Sequence, residues 1–224
     1  MAVKYSEWTR GQDEALLNKL GGMEVARRLL TCNEVKVTFD SDKRAFVTAN
    51  TERRWREEAG VIRFSVTSDG TTGPQWIKRL GKRRFRLNRD SEELLHSPDF
   101  VPTNGVTYDV AVLKGTLFND GNRITQNIHA EADHRGWKYG KDMPAEVACL
   151  IRETFSDEDI EAMGLWWIVV MHEPIKDSDG YPFLLGAHRY GDGPWLNACY
   201  GRPAYGWCRG RGFAVLVSQV SAKA

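Results

Sequence analysis

A basic segment with interleaved aromatic residues runs from Trp76 to Arg89. Between Lys78 and Arg89 it holds seven Lys and Arg residues and no acidic residue. Basic side chains bind phosphates and aromatic rings stack on exposed bases, so the segment is a candidate nucleic-acid interface. The residues that would make this contact are Lys78, Arg79, Lys82, Arg83, Arg84 and Arg86. A charged edge strand with Phe85 and Leu87 turned inward would explain the same pattern.

The tripeptide His129-Ala-Glu131 has the H-A-E spacing of zinc-dependent nucleobase deaminases. That chemistry also needs a P-C-x-x-C sequence, whose two thiolates hold the metal while the Glu moves the proton. In this chain Pro144 is followed by Ala145, and the nearby thiol is Cys149. Because the motif is incomplete, we expect His129 to lie on a solvated helix face.

A metal could also be held from one helix face by His129, Asp133 and His134, because residues four apart are neighbours on a helix. An exposed, charged helix accounts for the same three residues, and it is the interpretation we favour. No pairing of a nucleophile with a base, phosphate-binding loop or carboxylate pair stands out in the sequence. The sequence therefore predicts no catalytic residue, no metal and no cofactor.

The segment from Gly186 to Gly212, called the C-terminal window below, differs in composition from the rest of the chain. Its 27 residues contain no Lys, Glu, Gln or Met, four types that make up 35 of the 224 residues overall. They include seven Gly, four Arg, three Tyr, two Cys and two Trp. Apolar sequences flank the window, Pro182-Phe-Leu-Leu185 before it and Phe213-Ala-Val-Leu-Val217 after it. The pattern predicts a fixed apolar scaffold that carries an unusual surface.

The genetic code offers one explanation of this composition. If the adenines of AAC or AAT codons are randomised, the resulting codons encode no Lys, Glu, Gln, Met or Trp and no stop. Every residue of the window belongs to the encoded set except Trp195 and Trp207, which would then be fixed positions. A Gly-rich, aromatic loop that lacks Lys and Glu by chance is the alternative.

The stretch Leu184-Leu-Gly-Ala-(x7)-Trp195-Leu-Asn-Ala-Cys-(x12)-Gly212-Phe-Ala-Val resembles the C-terminal variable region of target proteins of diversity-generating retroelements. The resemblance covers residues 182 to 217. It departs from the family pattern at Ala187, Asn197, Cys199 and Ala214. It implies a C-type lectin-like domain, a fold shared with formylglycine-generating enzymes. The preceding stretch, Phe100 to Ile175, is similar to uncharacterised hypothetical proteins of bacterial genomes.

The resemblance implies a protein that recognises a ligand, either a protein or another surface, without catalysis. Tyr, Arg, His and Asn make rigid amphipathic contacts and adaptable hydrogen bonds at such surfaces. The predicted ligand-binding residues are His188, Tyr190, Asp192, Asn197, Cys199, Arg202, Tyr205, Cys208, Arg209 and Arg211. The predicted frame that fixes the backbone is Leu184, Leu185, Trp195, Leu196, Trp207 and Phe213. The window carries a net charge of +3, which indicates an anionic partner.

Cys199 and Cys208 raise one further possibility, because the formylglycine-generating enzyme binds copper through a cysteine pair. The spacing of nine residues and the variable-type neighbours argue against such a site. Cysteine is also among the residues that adenine-randomised codons encode. We therefore expect a binding protein and not an oxidase.

Regular elements are predicted on both sides of residue 100. The predicted strands begin at Val35, Val61, Val106 and Leu165, the last being an apolar run typical of a central strand. The predicted helices are two in the first thirty residues, one through Ile128, one from Pro144 and one capped by Ser156. We expect an α+β protein, with a small N-terminal α/β module over residues 1–97 and the C-type lectin-like domain over residues 98–224.

Composition limits the class of protein. The chain has 224 residues, of which 42% are apolar and 27% charged, and its net charge is +1. These values exclude a disordered chain and a strongly basic tail. No apolar run reaches the roughly eighteen residues of a membrane span, and the first residues lack the apolar stretch of a secretion signal. We expect a cytoplasmic protein whose cysteines are free thiols.

Overall fold

A computed structural model of the chain describes residues 54–221 and, before them, two strands, β1 (Val35–Phe39) and β2 (Ala45–Ala49). The chain divides into two compact units, Met1–Arg53 and Arg54–Ala224. In the first unit, β1 and β2 pair antiparallel, which confirms the strand predicted from Val35. The two helices predicted in the first thirty residues lie outside the described residues.

Within residues 54–221, nine strands form one mixed sheet. In chain order they are β3 (Arg56–Glu58), β4 (Val61–Asp69), β5 (Arg86–Leu87), β6 (Asn104–Lys114), β7 (Trp167–Val170), β8 (Ile175–Lys176), β9 (Pro182–Tyr190), β10 (Gly193–Tyr200) and β11 (Arg211–Ser221). Their spatial order is β3-β4-β6-β11-β7-β9-β10-β5, and β8 pairs with β9. Neighbouring strands are antiparallel except for the parallel pairs β11–β7 and β10–β5.

Strand β11, which begins with the last two residues of the C-terminal window, lies in the middle of this sheet. Phe213 stands opposite Leu113 of β6 and Val169 of β7. Strand β9, which opens the C-terminal window, pairs with β7 on the other side. Both ends of the window are therefore held by long strands that are hydrogen-bonded on both edges.

Five α-helices are described in this unit: α1 (Gly73–Lys82), α2 (Arg89–His96), α3 (Thr125–His134), α4 (Val147–Thr154) and α5 (Asp157–Ala162). Helix α5 begins with a reciprocal capping box between Ser156 and Asp159, as its sequence predicted. Thr72 and Gln75 form the equivalent box at the start of α1. None of the described helices is long and apolar enough to cross a membrane.

Alternate residues of the strands enter two hydrophobic clusters, one on each face of the sheet. On β11, Ala214 and Leu216 belong to the larger cluster, whereas Phe213 and Val215 belong to the smaller one. Side chains of α1, α2, α4 and α5 complete the larger cluster, and those of α3 complete the smaller one. The sheet thus has helices packed on both faces.

The second unit begins earlier than the boundary expected near residue 98, because the strand and helices before that point share the same core. Strand β4 pairs with β6 from Val61 to Asp69. Leu80 of α1 and Leu94 of α2 are fully buried in the larger cluster together with Val110 of β6. Residues 54–97 are therefore part of the main mixed α/β unit and not of a separate module.

Candidate functional site

A row of side chains crosses four strands at one end of the sheet. Arg211 of β11 stands next to Trp167 of β7, which stands next to His188 of β9, and His188 in turn pairs with Trp195 of β10. The Trp167 and His188 rings are stacked, with centroids 4.3 Å apart and an interplanar angle of 12°. The Arg211 guanidinium carbon lies 4.5 Å from the Trp167 ring centroid. Residues in register point to the same face, so the row forms a continuous cationic and aromatic surface.

A pocket of about 720 Å³, called the Trp167 pocket below, opens beside this row. Its lining consists of Trp166, Trp167, His188, Tyr190, Gly191, Asn197, Cys208, Gly210 and Arg211. Five of the ten predicted ligand-binding residues are thus brought together: His188, Tyr190, Asn197, Cys208 and Arg211. Two aromatic residues of the lining, Trp166 at 57% and Tyr190 at 59% exposure, offer their surface to a ligand.

Three other predicted residues lie in the loop between β10 and β11. Arg202 and Arg209 are exposed, and Tyr205 is half-buried. The Tyr205 ring packs edge-on against Trp207 with centroids 4.6 Å apart. These residues are outside the pocket lining, but their loop contributes Cys208 and Gly210 to it.

Asp192 lies in the turn between β9 and β10, and its carboxylate is already engaged. It forms an ion pair with Arg86 of β5 and accepts a hydrogen bond of 3.0 Å from Trp195 Nε1. This carboxylate therefore holds the turn against the edge of the sheet.

Cys199 does not stand outward as predicted. It is buried in the smaller cluster, and its Sγ lies 3.6 Å from the carbonyl oxygen of Leu184. Burial raises the pKa of the Cys199 thiol to about 12. Cys199 shares its strand face with Asn197, but it lies farther along β10, where neighbouring side chains cover it.

The predicted frame is buried at five of its six positions: Leu184, Leu185, Leu196, Trp207 and Phe213. Trp195 differs, because it is only half-buried on β10 beside the edge strand β5. The Arg86 guanidinium lies 5.5 Å from the Trp195 ring centroid. Trp195 therefore covers the sheet edge and is not a core residue.

Two residues that sequence reasoning missed, Arg123 and Thr125, anchor the loop before β11. The Arg123 carbonyl accepts a hydrogen bond of 2.8 Å from the Trp207 backbone N–H. Arg123 Nη1 donates in return to the Trp207 carbonyl at 3.3 Å. Thr125 Oγ1 accepts from Trp207 Nε1 at 3.0 Å, and the Thr125 N–H donates to the Tyr205 carbonyl at 3.3 Å. No local sequence signal could have revealed these bonds, because the partners are about eighty residues apart.

The site is electropositive and its imidazole is uncharged. Burial, followed by the charges of Arg211 and Arg152, lowers the pKa of His188 to about 4. The neutral ring accepts a hydrogen bond of 3.3 Å at Nδ1 from the Asn197 amide. Arg152 is fully buried below the sheet, where it pairs with Asp157 and donates to the His188 carbonyl at 3.2 Å.

The basic segment forms α1 and the short edge strand β5, so only its end resembles the predicted edge strand. Trp76 is buried in the larger cluster, which removes it as a platform for bases. Arg79 and Arg83 pair with Glu153, and Arg86 pairs with Asp192. Of the six basic residues predicted to contact nucleic acid, Lys78, Lys82 and Arg84 are exposed and form no ion pair with another described residue.

The environments of His129 and Cys149 do not suit a zinc site. His129 is half-buried and not solvated as expected, and its ring stacks on Tyr139 with centroids 3.9 Å apart. Cys149 is fully buried, and burial raises its pKa well above the ordinary value. Within the described part of the chain, no three His, Cys, Asp or Glu residues gather where they could hold a metal ion.

Comparison with models of known protein families, with curated proteins and with solved structures finds no match to this chain.

Proposed function

We propose that this chain is a diversified ligand-binding protein of a diversity-generating retroelement. In this proposal the second unit has a C-type lectin-like fold, and the C-terminal window provides a hypervariable surface that recognises a ligand without catalysis. The observation that carries the proposal is that five of the ten predicted ligand-binding residues line the Trp167 pocket.

The alternation of the strands supports a division into frame and display positions. On β9 and β10, Leu185 and Leu196 enter the larger cluster, whereas His188, Tyr190 and Asn197 line the pocket. Side chains can change without unfolding a protein when other residues fix the backbone beneath them. Leu185 and Leu196 meet this condition, because they lie on the face opposite to the display residues, whereas Leu184 and Trp195 lie on the same face as those residues.

The anchoring of the loop before β11 gives a second line of support. Residues 203, 205 and 207 are held through main-chain groups that bond to Arg123, Thr125 and Gln126. A main-chain group is present whatever side chain the residue carries. Substitution of Arg202, Tyr205 or Arg209 therefore leaves these bonds intact.

The element order also agrees with the proposed fold. Strand β6 is followed by helices α3, α4 and α5, then by the central strand β7 and the strands of the window. Strand β11 returns to pair with β6. The sheet therefore joins the first and last strands of this region side by side.

The DNA around the gene provides the decisive test. We expect a near-copy of the codons for residues 186–212, beside a reverse transcriptase gene, that differs from them only where the copy has adenine. The codons for Gly186, Trp195, Trp207 and Gly212 should lack adenine at their first two positions in that copy. Differences at other bases, or the absence of any copy, would contradict the proposal.

The nucleic-acid interface stays a prediction that rests on Lys78, Lys82 and Arg84. Phosphate contacts release counterions, so binding through these residues should weaken strongly between about 50 and 200 mM salt. Fluorescence anisotropy of a labelled single-stranded oligonucleotide measures this dependence. Absent or salt-independent binding would remove this alternative.

A further inference from the structure

The Arg211 side chain is half-buried at the Trp167 pocket, and one of its guanidinium nitrogens has no partner in the described part of the chain. Its Nη1 is buried and has no hydrogen-bond partner. Among the described residues no carboxylate pairs with it, whereas Arg152 pairs with Asp157 and Arg189 with Glu161. A partly desolvated charge without a counter-charge is costly, so its presence in a pocket points to a partner that the chain itself does not supply.

Aromatic neighbours hold this guanidinium in place. Its carbon lies 4.5 Å from the Trp167 ring centroid and 5.2 Å from that of Trp207. Cation–π contacts of this kind orient a guanidinium but leave its N–H groups free to donate. The backbone of the preceding residue, Gly210, passes close to the Trp166 ring, since a Cβ there would stand 2.8 Å from Trp166 Cδ1.

The rest of the pocket lining carries no negative charge. Trp167 Nε1 is a second buried N–H without an acceptor. Of the described residues that line the pocket, Arg211 is the one with a formal charge, since the lining contains no Asp or Glu and His188 is neutral. The pocket lining therefore holds a cation and no carboxylate to neutralise it.

We infer that the Trp167 pocket binds an anionic oxygen group, a carboxylate or a phosphate, carried next to a flat apolar body. The anion pairs with Arg211, and the apolar body lies against the exposed faces of Trp166 and Tyr190. This inference rests on the proposed function and names the chemical class of its ligand. Recognition of an anion by a pre-oriented guanidinium is charge-assisted and hence stronger than a neutral hydrogen bond.

Three small probes of nearly equal shape test this inference on the full chain: benzoate, phenyl phosphate and the neutral benzamide. Binding is followed by titration calorimetry and by the shift of the Trp167 indole N–H resonance. We expect one or both anions to bind at least about tenfold more tightly than benzamide, which corresponds to one charge-assisted hydrogen bond. The tighter of the two anions identifies the group as carboxylate or phosphate.

Two variants locate the binding. Arg211→Gln should weaken anion binding by about tenfold or more and leave benzamide binding unchanged. Arg56→Gln is the control, because Arg56 is exposed on the edge strand β3 and does not line the pocket. The comparison of benzoate with benzamide needs only the unmodified protein, so it remains decisive even if Arg211→Gln fails to fold.

Equal affinities for the anions and benzamide would overturn the inference, as would full anion binding by folded Arg211→Gln. These outcomes are distinct from failure of the proposed function. A missing template copy would overturn diversification and leave anion binding standing. Conversely, a template copy found together with equal probe affinities would overturn only the inference that the ligand is anionic.

Discussion

The indole nitrogen of Trp167 lies 2.4 Å from the point where a Cβ on Gly186 would stand. The Ile168 carbonyl oxygen is 2.5 Å from the same point. Strand β9 can therefore pass β7 at this register only with glycine at position 186. Because the Trp167 ring supports both His188 and Arg211, this glycine indirectly sets the geometry of the pocket.

Gly186→Ala should reduce the free energy of unfolding by about 1–3 kcal/mol, because the new methyl group displaces the indole or the strand. Gly191→Ala is the matched control, since nothing lies within 4 Å of its Cβ position. We expect the control to stay within about 0.5 kcal/mol of the unmodified protein. Urea denaturation measures both, and equal effects would contradict the proposed role of Gly186.

Truncation of frame and display residues should have opposite consequences. Phe213 is fully buried between Trp207 and Phe118, so Phe213→Ala should cost about 3–5 kcal/mol of stability. Tyr190 is 59% exposed, so Tyr190→Ala should leave the melting temperature almost unchanged and weaken ligand binding. Thermal denaturation together with the probe titrations separates the two effects. A reversed result would show that the frame and display positions are wrongly assigned.

Thr125→Val should loosen the loop before β11. It leaves the Trp207 Nε1–H buried without its acceptor, which costs about 1–3 kcal/mol. Thr116→Val is a matched control, because Thr116 is exposed. Hydrogen exchange of the Trp207 indole should be faster in Thr125→Val than in the control. Unchanged exchange would mean that the loop is held by its main-chain bonds alone.

Acid should destabilise the protein through His172. Burial lowers the pKa of His172 to about 4, below its ordinary 6.5, and its Nε2 accepts a hydrogen bond of 2.9 Å from the Leu185 N–H. Between pH 6.5 and about 4, His172 therefore binds a proton in the unfolded chain but not in the folded chain. With respect to His172, the free energy of unfolding is highest above pH 6.5. It falls by up to about 3 kcal/mol as the pH decreases toward 4.

The variant His172→Gln isolates this contribution. Its unfolding free energy should fall less between pH 7 and about 4.5 than that of the unmodified protein, as measured by denaturant titration. The exposed His134→Gln is the control and should keep the original pH dependence. Parallel curves for all three proteins would rule out a contribution from His172.

The described cysteines should differ sharply in reactivity toward iodoacetamide. Cys208 is exposed, whereas Cys149 and Cys199 are buried with raised pKa values. Since the thiolate is the reactive form, Cys208 should be alkylated in the folded protein while the other two react only in denaturant. Peptide mapping by mass spectrometry measures each site, and early alkylation of Cys199 would contradict its placement in the core.

Much of the main sheet was predictable because its signals are local. The alternation from Val106 to Val112 predicted β6, the apolar run at Leu165 predicted the central strand β7, and Ser156 predicted the start of α5. Helix α1 was missed because its dense Lys and Arg residues conceal the apolar face formed by Trp76 and Leu80. The capping box at Thr72 was a signal that could have revealed it.

The site was predictable only in part, because composition identifies residue types and not their neighbours. The window's unusual residues predicted five members of the pocket lining. The roles of Trp167, Arg123 and Thr125 depend on contacts with distant residues, to which no local pattern points. Cys199 was wrongly predicted to be exposed for the same reason. The alternation along β10 indicates which face its side chain is on, but the residues that bury it there come from elsewhere in the chain.

The central position of β11 has a consequence for any mechanism that rewrites the preceding codons. Without β11, strand β6 has no bridge to β7, and the sheet separates into a β3–β4–β6 part and a β7–β9–β10 part. A copying error that shifts the reading frame or ends translation within residues 186–210 therefore yields a polypeptide that cannot assemble this sheet. If the window is diversified as proposed, only in-frame versions of the gene would yield a folded protein.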